Sequence, residues 1–257
     1  MVTTNKIIFI SHYQYIRMTY TLYIGNKRYS SWSMRPWVLL KALDIPFKEN
    51  LQIFEPGLAQ PAFTSFSPSS KVPCLHDTAQ DSGGTLIVWD SLAILEHVAD
   101  TYPAVWPSAP APRAFARSAA AEMHSGFSAI RNELPMNVGL RLDGGTPSEA
   151  LQKDLNRLSA LFKHGLDDFG GPWLAGTSYT AADAFYAPIA TRLRTYGLKL
   201  RDEVSQAYIE RLFDHPATKE WVDAGIREKA REPGHEEDSR RGAKVLEDLS
   251  AAFEASQ

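Results

Sequence analysis

From Thr19 to Ile24, Tyr20, Leu22 and Ile24 alternate with Thr19, Thr21 and Tyr23, and this period of two in β-branched and aromatic residues predicts a strand. Gly25 and Asn26 end it. Past Tyr29-Ser30-Ser31-Trp32-Ser33-Met34-Arg35-Pro36-Trp37 the period changes, with Trp37, Leu40 and Leu43 recurring on one helical face. Pro36 fits only the first turn of that helix, where its missing N–H has no intrahelical partner to lose, so the helix is expected to start near Ser31 to Ser33. Asp44-Ile45-Pro46 stops it, and Phe47 to Ile53 is a possible second strand, parallel to the first in βαβ order. Phe54 to Ser70 is rich in Pro, Ser and Gly and predicts an irregular segment with at most a short helix. Lys71 to Leu75 and Thr85 to Trp89, joined through Asp81-Ser82-Gly83-Gly84, read as a β-hairpin. Leu92, Ile94, Leu95, Val98 and Tyr102 then mark an amphipathic helix with Asp90 or Ser91 as its N-cap.

The pattern changes character after residue 102. Pro103 to Pro112 is a proline-rich linker, and beyond it the spacing is helical. Phe115, Ala119, Met123, Phe127, Ile130 and Leu134 lie three or four apart, as do Leu151, Leu155, Leu158, Leu161, Phe162, Leu166 and Phe169. No strand is expected there. Thr180-Ala181-Ala182-Asp183 is a capping box in which Asp183 is structural. Glu228 to Arg241 mixes both charge signs around Pro233-Gly234 and reads as a solvated linker, before a short helix suggested by Leu246, Leu249 and Phe253. Residues 1–18 read as an appendage ahead of a plausible start at Met18, the segment Ile7 to Ile10 being too short for a signal-peptide core. The organisation expected is an extension at 1–18, an α/β domain at 19–102, a linker at 103–112 and an all-helical domain at 113–257.

Composition narrows the class without identifying it. The 257 residues are 44% apolar and 22% charged, which is ordinary for a soluble globular protein. A net charge of −3 with no basic stripe argues against nucleic-acid binding, and no stretch approaches the length needed to span a bilayer. Cys74 is the only cysteine, so no intramolecular disulfide and no cysteine-based metal site can form, and the usage fits a reducing, cytoplasmic setting. In the second strand pair it reads as a small buried hydrophobe.

Candidate chemistry gathers where strands feed helices. A hydroxyl-rich turn at a helix N-terminus collects O–H donors, free N–H groups and the positive end of a dipole, and so favours an anion: phosphate, carboxylate or thiolate. Phosphate is the weaker reading, because no glycine-rich phosphate loop is present. Simple capping by Ser30, Ser31 and Ser33, the commonest role of serines before a helix, is the favoured reading of this stretch taken alone. Pro73 opens its strand, and if its peptide bond is cis it turns the Val72 backbone toward a ligand, although a trans bond is the ordinary expectation. Asp90 and Ser91 either cap their helix or pair with the ammonium and carboxylate of a ligand. Lys71 lies near a ligand carboxylate or is solvated, and His124 on a helix is more often packed than catalytic.

Taken together and in order, these pieces resemble one family. Ser30-Ser31-Trp32-Ser33-Met34-Arg35, Lys71-Val72-Pro73-Cys74-Leu75, Asp90-Ser91-Leu92-Ala93-Ile94-Leu95-Glu96 and Trp173-Leu174-Ala175-Gly176 to Asp183 are similar to segments of the soluble glutathione transferases. The Ser-Ser-x-x-x-Arg turn looks most like the serine-type branch, which includes the zeta class. Glu122 to Phe127 and Arg131 to Asn137 resemble a motif of an uncharacterised bacterial and fungal group of such transferases.

The resemblance implies a thioredoxin-like α/β domain (βαβ-α-ββα), an all-α domain after it, and a homodimer. Glutathione is the implied co-substrate, with no metal, and a small hydrophobic electrophile is its partner. Ser30, or Ser31 close behind it, would donate to the sulfur as the catalytic hydroxyl, with Ser33 third. Val72 and Pro73 would hold the cysteinyl backbone, Asp90 and Ser91 the γ-glutamyl end, and Lys71 a carboxylate. Conjugation for detoxification is the implied reaction; maleylacetoacetate-type isomerisation, dehalogenation and a non-catalytic glutathione-binding module are the alternatives. Omega-like disulfide exchange needs a cysteine where Ser30 stands. Trp32 occupies the place where zeta members usually carry cysteine.

Overall fold

In the computed structural model, residues 19–57, 59–79, 83–241 and 243–255 are described. The proposed 1–18 extension and the Asp81-Ser82 part of the hairpin connection lie outside the described residues. The alternation at the head of the α/β half becomes β1 (Tyr20–Gly25), whose Tyr20, Leu22 and Ile24 are buried. α1 (Ser31–Ala42) follows, and β2 (Phe47–Gln52) lies parallel to β1 from Tyr20 opposite Phe47 to Gly25 opposite Gln52. β3 (Cys74–Asp77) runs antiparallel on the other side of β1, with Tyr23 opposite Cys74, and pairs in turn with β4 (Leu86–Trp89), so the sheet order is β2-β1-β3-β4. Both hairpin strands are shorter than the sequence suggests, and Lys71 to Pro73 stay outside the ladder. A 3₁₀ turn at Pro61–Ser65 is the only regular piece between β2 and β3 among the described residues. α2 (Ser91–Thr101) closes this half.

The second half is helical, with departures from the pattern. α3 (Pro110–Ser125) begins inside the expected linker, because Pro110 is suited to a first turn. The periodic run from Phe115 to Leu134 is two helices rather than one: Phe127 adopts a left-handed conformation (φ 56°) after Gly126, and α4 (Ser128–Glu133) starts afresh. β5 (Leu140–Leu142) comes next, followed by α5 (Glu149–Phe169), α6 (Ala181–Thr195), α7 (Glu203–Asp214), α8 (Pro216–Arg227), α9 (Pro233–Arg240), β6 (Val245–Asp248) and α10 (Leu249–Ala255). β5 and β6 form an antiparallel ribbon that the sequence reading did not anticipate. Strands of three and four residues carry too little alternation to register. Asp183 accepts from the N–H groups of Leu174 and Thr180 and from the Tyr208 hydroxyl, at 2.8–2.9 Å, and so pins the start of α6 as expected.

α1 is covered on both sides, by the sheet and by α6, and Met34, Trp37, Val38, Leu39 and Leu40 are all buried. The segment read as a solvated linker is a strap over the β1–α1 turn. Glu228 accepts from the backbone N–H groups of Lys27 (2.7 Å) and Arg28 (3.2 Å), and Arg28 in return donates to the carbonyls of Gly225, Ile226 and Glu228 at the end of α8. Glu236 accepts from the Tyr29 hydroxyl at 2.7 Å, and Arg231 forms a two-point pair with Asp248. Glu228 and Glu236 are partners of residues about 200 positions upstream, which is why a local reading leaves them in solvent.

Candidate functional site

Two cavities sharing Trp32, Lys71 and Val72 form one cleft. The first, of about 300 Å³, is lined by Tyr29, Ser30, Ser31, Phe54, Gln60 and His235 among others; the second, of about 420 Å³, also takes in Ser69, Pro73, Trp89, Asp90, Ser91 and His124. Seven of the sequence-derived candidates, Ser30, Ser31, Lys71, Val72, Pro73, Asp90 and Ser91, therefore meet here. Ser33 lines neither cavity. It is fully buried, and its hydroxyl accepts from Gly25 N–H at 3.1 Å and from the Ser30 hydroxyl at 2.7 Å, so it is bonded inside the turn.

The hydrogen bonds of the turn separate its serines. Ser30 is the N-cap of α1: its Oγ accepts from Ser33 N–H, and its proton goes to Ser33 Oγ. Ser31 stands one residue on, at the first helical position, and its Oγ accepts from Arg192 Nη2 at 3.2 Å. A hydroxyl that accepts from a guanidinium keeps its own hydrogen to donate, and no acceptor takes it among the described residues. The neighbouring phenol is committed elsewhere, since Tyr29 donates to Glu236 and accepts from Glu232 N–H.

The surroundings of this turn are cationic. Arg35 is fully buried, with no hydrogen-bond partner on its guanidinium among the described residues, and the group lies 4.1 Å from the Trp32 ring centroid and 4.8 Å from that of Phe185. Arg131 lies 4.7 Å from the same indole and holds the carbonyls of Gly126 and Met123. Burial, reinforced by Arg131, pushes Arg192 down to about 10, and burial with the charges of Arg131 and Arg192 carries Arg35 well below its ordinary value. Positive charge crowded in this way, together with the α1 dipole, favours an anion at the serine turn.

At the other end of the cleft, Asp90 caps α2 by accepting from Leu92 and Ala93 N–H, and its Oδ2 lies 2.7 Å from His124 Nε2. Burial opposes ionisation of Asp90, but the bonds from His124, Leu92 and Ala93 outweigh it and hold the carboxyl below its ordinary value. Ser91 is 1% exposed, and its Oγ has no hydrogen-bond partner among the described residues. The Val72–Pro73 peptide is cis, and the β3–β4 ladder begins only at Cys74 opposite Trp89. Cys74 is no competing nucleophile: burial pushes its thiol up to about 11.

Sequence reasoning set His124 aside and passed over Arg192 and His235. Arg192 had a weak signal, being a charge next to the end of the mostly apolar run Ala184–Leu193. His124 pairs with Asp90, 34 residues away, and His235 stacks on Tyr29 and Phe54, far upstream, so neither placement could be read locally.

A mixed four-stranded sheet with a helix inserted between its parallel strands, followed by a helical half, defines a thioredoxin-like domain joined to an all-α domain. Residues 29–101 match the family model for the glutathione S-transferase N-terminal domain and residues 99–224 that for the C-terminal domain. The chain belongs to the glutathione S-transferase family. Among solved structures, a Burkholderia glutathione transferase homolog with bound glutathione is similar at TM-score 0.59 and 22% identity, over 82% of this chain and 100% of that one. A glutathione S-transferase from Rhodospirillum rubrum F11 aligns at TM-score 0.60 and 19% identity over 86% and 98%. Ure2p in complex with glutathione aligns at TM-score 0.59 and 18% identity over 80% and 94%. At such identities the likeness is one of fold. No curated protein matches the chain.

Proposed function

We propose that the chain is a serine-type glutathione transferase, which binds glutathione along the cleft and activates its thiol for attack on a small hydrophobic electrophile. The observation that carries this reading is Ser31, a hydroxyl polarised by Arg192 that retains its own proton at the start of α1. A free thiol has a pKa of about 8.5 and is mostly protonated at neutral pH, whereas the thiolate is the nucleophile. Ser31 donates to the sulfur, the α1 dipole and the nearby guanidiniums favour its charge, and a fall of about 2 units corresponds to roughly 2.7 kcal/mol. Ser30 shapes the turn and stands next in line as donor.

The remaining candidates fit the rest of the tripeptide. Val72, with Pro73, meets the cysteinyl backbone in the manner of an added strand. Ser91 takes the γ-glutamyl carboxylate, which would satisfy its buried hydroxyl, while Asp90 faces the ammonium; Lys71 lies by a carboxylate. The glutathione-binding unit corresponds to residues 19–102, the electrophile-facing unit to 113–257, and the chain works as a cytoplasmic homodimer.

The test is the thiolate ultraviolet absorbance of glutathione titrated with pH on the wild type, Ser31→Ala and Ser30→Ala. A depressed thiol pKa that returns toward the free value in Ser31→Ala and survives in Ser30→Ala is the expected result. Binding without a depressed pKa makes the chain a glutathione-binding module, and absence of binding removes the function altogether.

A further inference from the structure

One titratable side chain that the family resemblance does not assign faces the serine cavity from the strap. His235, on α9, lines the 300 Å³ cavity together with Ser30, Ser31 and Trp32. Its ring is stacked between Tyr29, at 4.9 Å and 23°, and Phe54, at 5.0 Å and 16°. The side chain lies against these two rings and remains 42% exposed. One nitrogen is fixed: Nδ1 lies 2.6 Å from Glu232 Oε2. Glu232 is buried, and the hydrogen bonds it accepts from His235 and Gly234 N–H outweigh that burial and hold its carboxyl below the ordinary value. It is therefore an acceptor at neutral pH, so Nδ1 carries the hydrogen and Nε2 the lone pair of the neutral ring. No hydrogen bond engages Nε2 among the described residues.

Packing alone does not call for this arrangement. Glu232 would cap α9 whatever residue stood at 235, and a phenyl ring would fill the stack equally well. An imidazole with one nitrogen tied to a carboxylate and the other free beside the serine turn is the arrangement of a base and the group that orients it. We propose that His235, oriented by Glu232, accepts the proton of the glutathione thiol, a role that rests on the transferase reading above.

The step balances within the cleft. Nε2 takes the S–H proton, the electron pair of that bond stays on sulfur beside Ser31, and this pair forms the new bond to the electrophilic carbon as the leaving group departs with its own pair. The imidazolium then returns the proton to the leaving group or to solvent. Among the described residues, the ionisable groups around this cavity are Glu232 at the N-cap of α9, Tyr29 at the turn with its partner Glu236 on α9, and Lys71 on the lining. Tyr29 stays neutral, because burial and its bond to Glu236 raise its pKa.

The experiment follows alkylation of glutathione by iodoacetamide across pH, with protein in excess so that the thiol is bound, in the wild type, His235→Phe and Glu232→Gln; calorimetry gives glutathione affinity. His235→Phe keeps the stack and Glu232→Gln keeps an oxygen for the cap, and thermal melts confirm both fold. We expect His235→Phe to react about 10²-fold more slowly at neutral pH with its profile displaced to higher pH, affinity staying within about 3-fold, and Glu232→Gln to lose about 10-fold. An unchanged pH profile in His235→Phe overturns the proposal, and so does a loss confined to affinity. A wild type that binds no glutathione overturns the transferase reading itself; a wild type that binds and alkylates while His235→Phe matches it overturns only the base.

Discussion

Two helices begin at the cleft with serines, and their partners differ. At the start of α1 the hydroxyls are joined in a chain, with Gly25 N–H and Ser30 both donating to Ser33 and Arg192 donating to Ser31. At the start of α2 a carboxylate does the capping, Asp90 holds His124 as well, and Ser91 is left buried without a partner. The first start sits in a field of guanidiniums, the second beside a negative charge. In each case the serine that follows a satisfied cap has a hydroxyl hydrogen with no acceptor among the described residues: Ser31 beside Ser30, and Ser91 beside Asp90.

This contrast makes its sharpest claim at Ser31. Ser31→Ala should lower the conjugation rate by about 10²–10³-fold and also cost about 1–3 kcal/mol of stability, because the buried Arg192 Nη2 loses its acceptor; if Ser30→Ala shows the rate loss instead, the two serines have been assigned in the wrong order. Ser33→Ala should cost stability alone, because it strips a buried acceptor from Gly25 N–H, and the expected loss is about 1–3 kcal/mol in denaturant melts. Ser91→Ala should weaken glutathione about 10-fold by calorimetry, worth about 1.4 kcal/mol, and leave stability untouched because no intramolecular bond is lost.

The smallest effect concerns acid. Asp90 has a folded pKa below its unfolded value of about 3.9, so its contribution is complete above that value and disappears as pH falls through the folded one. Asp90→Asn should cost at most about 1 kcal/mol at neutral pH and flatten stability against pH at the acid end. An acid limb as steep as in the wild type would show that the His124 pair contributes nothing to folding.

What the sequence made legible was local. The alternation of Tyr20, Leu22 and Ile24, Pro36 in a first turn and the capping box at Thr180 to Asp183 each encode their structure within a few residues. The ribbon of β5 and β6 was not legible, since Arg141 meets Glu247 across more than a hundred residues. Nor was the strap: Glu228 and Glu236 look like any charged run until Lys27 and Tyr29 are beside them. The cleft followed the same division. Serines at helix starts could be found from local pattern, whereas the identity of the free hydroxyl depends on Arg192, 161 residues from Ser31.

The contact between Arg28 and Glu228 spans 200 residues. During synthesis, therefore, the α/β half can leave the ribosome and form its sheet well before the segment that clasps its serine turn exists. Until that segment arrives, the N–H groups of Lys27 and Arg28 face water and the turn lacks its clasp. The turn is thus clasped by a segment made about 200 residues after it, so a nascent chain that has not yet reached Glu228 lacks that clasp.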